Sequence, residues 1–560
     1  MSGESSEPQA GGRAGGAAPG SMAGAPARPV LYRAARIVSQ QPGGGPEPEA
    51  LVALGGLIAA TGTVRELRER FPGVPEADFG DAALVPGFND AHIHLAVAAE
   101  DLLHLDLSAD AVAGTGNLLA QVRAEAERAA PGEWIRGSRY DDTKTGPLTR
   151  WDLDRAAPGH PVLVVQVAGH WGVANSQALR ALRIDEDTPP PDGGDFGRGA
   201  DGRLDGRLIE RALMNVVHPA TARGGPSPLR PSAPQDRLRG LVRAQRQWHA
   251  AGLTSVCDAL IAPQDIALLQ RARARGELTL RVGMLLSVDH YAAAQALGVG
   301  SGFGDDVLRL VGVKAFVDGA IGGRTCLLSE PYADSGGHGL QTTSTEELTA
   351  QVREVHGDGN RIGVHANGDA AIRLVLDAFE AAQRETPRPW LRHRIEHCSV
   401  VDADIVRRMR RLGAVAVPFA GYVGYHGGAL RRWYGAERTE RMFAHRTFLD
   451  AGVAVAGSSD YPCGPYQPLL GIQSMVTREG LDDGAPVGVS QRVSAREALS
   501  VFTLGSAEAE GTADRKGRLV PGQSADFTVL GEDLLAADPH RIASIPVLAT
   551  YVGGECVHEA

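Results

Sequence analysis

The amino-acid sequence predicts an α/β protein: a (β/α)8 TIM-like barrel with a long insertion after its first strand, plus a small β-sandwich domain assembled from both chain ends. Three observations carry this prediction. Eight apolar runs of strand length recur along the chain, and from Val256 onward they alternate with segments of helical period. One gap, Leu95 to Thr254, is far longer than a single crossover and must hold an insertion. The outer stretches are instead broken by Gly and Pro into short strand-like pieces.

Taken in order, residues 1–28 contain no Leu, Ile, Val, Phe, Tyr or Trp, so they can bury nothing and predict a disordered tail. Residues 29–84 predict the first part of the small β domain. The barrel occupies 85–509, its insertion spans about 100–250, and 510–560 supply the second β part. The strand candidates are Phe88–Leu95, Thr254–Ala259, Thr279–Leu286, Arg309–Val317, Arg361–Asn367, Arg392–Cys398, Ala414–Phe419 and Val453–Asp460. Between them, Ser344 with Glu347 predicts a capped helix start, and Ile405, Met409 and Leu412 form an apolar stripe that stops at Gly413. Ile372, Val375, Leu376 and Phe379 make a further stripe. Within the insertion, 118–130 predicts a helix, 161–170 a strand, 185–206 a Pro/Gly/Asp-rich loop and 220–235 a Pro-rich connector. Ser494 with Glu497 caps another helix beyond the barrel strands.

Composition excludes several classes. The net charge of −11 offers no basic field for a phosphate backbone, which argues against nucleic acid as a partner. The longest uncharged apolar stretch, Ala50–Val64, is interrupted by glycines and falls short of the roughly 18 residues a membrane span requires. Five scattered cysteines do not form a disulfide framework, so a cytoplasmic location is expected.

The chemistry-bearing residues fall at strand ends. In a strand, residues i and i+2 share a face, so His92 and His94 can converge on one ion. His365, His397 and Asp460 each lie near the C-terminal end of a separate strand candidate, and in a barrel those ends form one ring. Each has an ordinary alternative: a satisfied core histidine, a partner of neighbouring Glu396, and a helix N-cap. Lys314 is the sharpest signal. The chain holds only three lysines, yet one stands inside the apolar run LRLVGVKAFV, where an unpaired ammonium loses its hydration. Burial favours the neutral amine, which reacts with carbon dioxide to give a carbamate able to bridge two divalent metals. The alternatives are a side chain that snorkels to the barrel mouth or one paired with Asp318.

The ordered segments PGFNDAHIHL, VKAFVDGAIGGRT, GVHANGDAAI, RHRIEHC and GSSDYPCGPYQPL, with VAGHWGVANSQAL in the insertion and KGRLVPGQSADFTVL near the end, resemble the amidohydrolase superfamily. More narrowly, they are similar to the branch of long metal-dependent hydrolases that includes the N-substituted formamide deformylases. The resemblance runs from about Pro29 onward. It implies one or two divalent ions, zinc foremost: a first held by His92, His94 and Asp460, a carbamylated Lys314 as bridge, and a second held by His365 and His397. It implies hydrolysis of a C–N bond in a small amide or formamide, with Asp460 moving the proton from water to the leaving amine. His170, Trp171, Asn175, Asp318 and Arg324 are the expected substrate-binding residues. A deaminase, a cyclic-amide hydrolase or a binding protein that keeps only the fold are the alternatives. The expected partner is a small-molecule substrate, with the small β domain offering a surface for a homodimer.

Overall fold

The computed structural model describes residues 28–217, 229 and 232–560. The expected tail 1–28, apart from residue 28, and most of the connector 220–235 lie outside the described residues.

Eight parallel strands form one sheet in sequence order: β1 (Phe88–Ile93), β2 (Leu253–Ile261), β3 (Arg281–Ser287), β4 (Leu308–Phe316), β5 (Ile362–Ala366), β6 (Arg394–His397), β7 (Val415–Pro418) and β8 (Ala454–Val455). Each corresponds to one of the eight apolar runs. The sheet curls until its edges meet. Ala91 N–H donates to Gly457 O at 2.9 Å, Asp460 N–H to His92 O at 2.9 Å and His94 N–H to Tyr461 O at 3.0 Å, so the chain beyond β8 is bonded to β1. The last strand is far shorter than its apolar pattern. Beyond it Gly457 N–H donates to Val501 O at 2.9 Å instead of to β7, and pairing returns only as the single bridge between Phe419 and Ser458.

The outer helices follow their stripes. Thr345–Gly357 starts at Ser344, whose hydroxyl accepts from Glu347 N–H, and Ala403–Leu412 stops at Gly413 with φ +66°. Asp369–Glu385 buries Ile372, Val375, Leu376 and Phe379 against the barrel. Each such side chain contributes about 2 kcal/mol of apolar transfer free energy.

The 95–254 gap holds a second, six-stranded sheet built from Leu105–Asp106, Ile135–Tyr140, Val162–Gln166, Trp171–Ala174, Gly194–Arg198 and Leu204–Glu210. The 185–206 stretch is therefore not wholly a loop. Gly194–Arg198 pairs antiparallel with Leu204–Glu210, because Phe196, Leu204 and Leu208 supply an apolar face that packs on Leu163, Leu179 and Leu213. Segments near both chain ends share a five-stranded sheet in which Ala83–Pro86 pairs antiparallel with Phe527–Leu530. The charged run Val64–Arg70, expected to lie among short strands and turns, is a helix fixed by a reciprocal Thr63–Glu66 cap. Among the described residues no helix is long and apolar enough to cross a membrane.

Candidate metal centre

The site lies at the C-terminal ends of the barrel strands. β1 ends in His92 and Ile93, and His94 follows at the start of the next helix. His92 Nε2 and His94 Nε2 stand 3.3 and 3.2 Å from Asp460 Oδ1, and one donor atom from each of the three residues lies within 4.8 Å of the others. Asp460, from the segment after β8, is bonded into place through its backbone N–H on His92 O. It adopts φ +56°, a conformation rare for a non-glycine residue, and His397 does the same at φ +70°. Strain of this kind collects where a side chain must be aimed.

The other expected residues gather around this trio. The His397 ring centroid lies 4.6 Å from that of His92 and 4.5 Å from that of His365. Lys314 Nζ stands 3.5 Å from His92 Nε2, and the residue is only 1% exposed, so it does not snorkel. Nor is it paired with Asp318. That carboxylate accepts backbone N–H bonds from Asn367 at 3.0 Å and from Gly368 and Leu327 at 2.9 Å. Burial pushes the Lys314 ammonium down to about 8, with Glu396 and Asp460 opposing. Burial alone would raise the Asp460 carboxyl, but His397, His92 and His94 hold it well below the usual carboxylate range.

Two residues that sequence reasoning did not single out organise the centre. Glu396 is fully buried and takes His92 Nδ1–H at 2.5 Å on Oε2, which leaves His92 Nε2 as a lone-pair donor facing Asp460 and Lys314. Arg394 forks onto both Glu396 oxygens at 2.7 and 2.9 Å and donates to Ala91 O at 2.7 Å. Arg394, His92 and Lys314 hold the Glu396 carboxyl well below its ordinary range despite its burial. The signal was present in RHRIEHC: Arg394 and Glu396 sit at i and i+2, on one face of a strand whose every residue is buried. Asp90 ties β1 to the far side of the site by accepting from the backbone N–H groups of His92 at 3.1 Å and Ser459 at 3.2 Å, and burial raises its carboxyl to about 7.

The donor set fits a divalent cation. Asp460 Oδ1, His397 Nδ1 and His94 Nδ1 are buried without a hydrogen-bond partner, a costly arrangement for polar atoms unless a cation satisfies some of them. Nitrogen and oxygen donors of this kind suit zinc and its neighbours.

The expected substrate residues divide. His170 is delivered by the insertion to the rim, its ring centroid 5.1 Å from that of His365. Asn175 is instead structural: its Oδ1 accepts from Val162 and Ala178 N–H, and its Nδ2 donates to His160 O. Trp171 packs edge-on against Tyr140 in the insertion core, with ring centroids 6.0 Å apart. Asp318 serves the backbone as described, and Arg324 reaches Asp142 at 3.4 Å while lying over the Trp433 ring at 5.6 Å. Opposite His170, His397 stacks on Phe419 at 4.4 Å and Phe419 on Tyr422 at 3.7 Å, an aromatic wall that the sequence did not announce.

A parallel eight-stranded sheet whose C-terminal ends bring together imidazoles, a carboxylate and a buried lysine is the architecture of a metal-dependent hydrolase. Comparison with known proteins agrees. The amidohydrolase family model matches residues 76–558, and the chain belongs to that family. It is 30% identical over 537 residues to an N-substituted formamide deformylase of Arthrobacter pascens, covering 91% of this chain and 95% of that one. It is also 30% identical over 530 residues to YtcJ of Bacillus subtilis (strain 168), covering 92% and 97%. A crystal structure of an uncharacterized metal-dependent hydrolase from Pyrococcus horikoshii OT3 shares the fold, with a TM-score of 0.71 at 23% identity, over 91% of this chain and 99% of that one.

Proposed function

We propose that this chain hydrolyses the C–N bond of a small amide, N-substituted formamides foremost, at a centre holding one or two zinc ions. The convergence of His92, His94 and Asp460 donor atoms carries the reading. The likeness to the Arthrobacter pascens deformylase over nearly the whole chain supports the choice of amide. His92, His94 and Asp460 would hold the first ion, His365 and His397 the second, and Lys314, as its carbamate, would lie between them. A bound divalent cation lowers the pKa of water and polarises a carbonyl.

The chain's own groups supply the rest. Asp460, kept ionised by the imidazoles around it, accepts the proton of the attacking water and returns it to the leaving nitrogen, which departs badly as an anion. Glu396 fixes the His92 ring and its tautomer, and Arg394 fixes Glu396. Phe419 and Tyr422 wall off solvent beside His397.

The test is a panel of N-alkyl and N-aryl formamides, acetamides, cyclic amides and aminopyrimidines offered to zinc-reconstituted protein, scored by amine or ammonia release beside elemental analysis. Amine release from linear formamides with bound zinc is the expected result. Release only from cyclic amides or aminopyrimidines would move the activity to those classes. A protein that binds no divalent metal and turns over nothing would overturn the reading.

A further inference from the structure

Glu210 and Thr325 form a polar cluster with His170 that the reaction described above does not use. His170 Nδ1–H donates to Glu210 Oε2 at 2.8 Å, and Thr325 Oγ1–H donates to Glu210 Oε1 at 2.5 Å. Glu210 closes the strand Leu204–Glu210, its backbone N–H donates to His170 O at 2.7 Å, and it adopts φ +49°. Its carboxylate thus leaves the insertion sheet to meet the loop after β4. That loop is shaped to receive it. An ideal Cβ on Gly319 would stand 2.3 Å from Thr325 Oγ1 and 2.4 Å from Glu210 Oε1, so only glycine admits the pair, and the same Gly319 accepts from His365 Nε2 at 3.0 Å through its carbonyl. One backbone position therefore touches both the cluster and a proposed metal ligand.

We propose that Glu210 is a positioning residue which, braced by Thr325, presents the His170 imidazole to the amide undergoing cleavage. The inference rests on the hydrolase reading and adds a function for the insertion. A brace between two layers of protein needs no imidazole at an open cavity, yet His170, Glu210, Phe316 and Asp318 line one of about 90 Å3 beside His365. With Nδ1 committed to Glu210, the ring has one nitrogen left for substrate, and its orientation is set from behind. Substrate recognition thereby comes from a different layer of the protein than the proposed metal ligands.

The experiment compares zinc-loaded full-length wild type, Glu210→Gln, Glu210→Asp, His170→Ala, Thr325→Val and the double variant His170→Ala/Glu210→Gln. The probe is 4-nitroformanilide, read by absorbance of the released 4-nitroaniline. Glu210→Gln is expected to lower kcat/KM by about 10- to 100-fold, by analogy with loss of the outer hydrogen-bond partner of a metal-bound histidine. Zinc content should stay unchanged, and Glu210→Asp should recover part of the loss. Because Glu210 acts through His170, the double variant should be no slower than His170→Ala alone. Independently of turnover, a downfield imidazole N–H resonance in 15N-histidine spectra should vanish in His170→Ala and move in Glu210→Gln, with or without zinc. Additive losses in the double variant, or an unchanged kcat/KM in Glu210→Gln, would overturn the proposal while leaving the hydrolase reading intact. Should Glu210→Gln fail to fold, Thr325→Val decides: a several-fold loss supports the proposal, and wild-type kinetics refute it. A wild-type protein inert towards the probe and every other amide would sink both.

Discussion

Replacing Glu396 with Gln tests how the centre is held together. The carboxylate accepts from Arg394 Nε at 2.7 Å on Oε1, and from Arg394 Nη2 at 2.9 Å and His92 Nδ1 at 2.5 Å on Oε2. Glutamine keeps one acceptor and turns the other into a donor. If its amide nitrogen faces His92, the imidazole must switch tautomer and point an N–H at Asp460. If it faces Arg394, donor meets donor and a guanidinium with 0% exposure loses its counter-ion. Little room exists for rearrangement, since an ideal Cβ on Gly363 would already stand 2.4 Å from Glu396 Oε1. Breaking a buried ion pair in this way costs about 3–5 kcal/mol of stability. Loss of the group behind a metal-binding histidine weakens the metal by about 10- to 100-fold. Urea denaturation at fixed zinc reads the first quantity, and zinc competition against a chromophoric chelator reads the second. A variant with wild-type denaturation midpoint and wild-type zinc affinity would refute the assignment of Glu396 as the group that orients His92.

Other consequences are as direct. Asp460→Asn keeps the backbone bond to His92 O and should fold normally with much of its metal, but lose most amide turnover in steady-state assays. Activity near wild type would mean that another group moves the proton. His393 and His445 should work against stability on acidification below about pH 6.5, because burial holds both neutral, each down to about 3, with His356 and Arg361 adding to the first and Arg478 to the second. The unfolded chain protonates these rings first, so the stability they lend is complete above pH 6.5 and drains away towards pH 3. At pH 5 each withholds about 2 kcal/mol, read as a smaller drop in urea midpoint between pH 7.5 and pH 5 in His445→Gln than in wild type. Chelation should lower the melting temperature reversibly, since an ion at 100 times its Kd adds about 2.7 kcal/mol. An unchanged melt after complete metal removal would count against the centre.

The parts of this protein that follow a local rule were readable from its residues. Apolar runs placed all eight barrel strands, and Gly413 and Ser344 marked helix ends through conformational and hydrogen-bonding preferences that need no tertiary context. His92, His94 and Asp460 could be nominated because chemistry restricts which side chains bind metals, and the structure brings their donor atoms together. What escaped depends on distant approach. The β8 ladder breaks where Gly457 N–H turns to Val501 O, a bond no window around Gly457 reveals. Glu210 and Thr325 look like ordinary surface residues until the insertion folds back and joins residues 115 positions apart. Asn175 was misplaced for a related reason. It stands in a pocket-like motif, yet its amide is spent on backbone groups: Oδ1 accepts from Val162 and Ala178 N–H, and Nδ2 donates to His160 O.

The antiparallel pairing of Ala83–Pro86 with Phe527–Leu530 bears on how the protein is made. A nascent chain that has completed all eight barrel strands still carries the bare β edge of Ala83–Pro86, whose match begins 441 residues after Pro86. At about 5–20 residues per second, that edge waits on the order of tens of seconds on the ribosome. Unpaired edges recruit other chains. Slow translation or premature release is therefore expected to show itself as aggregation seeded near residue 83, long before any disruption of the His92–His94–Asp460 cluster could be detected.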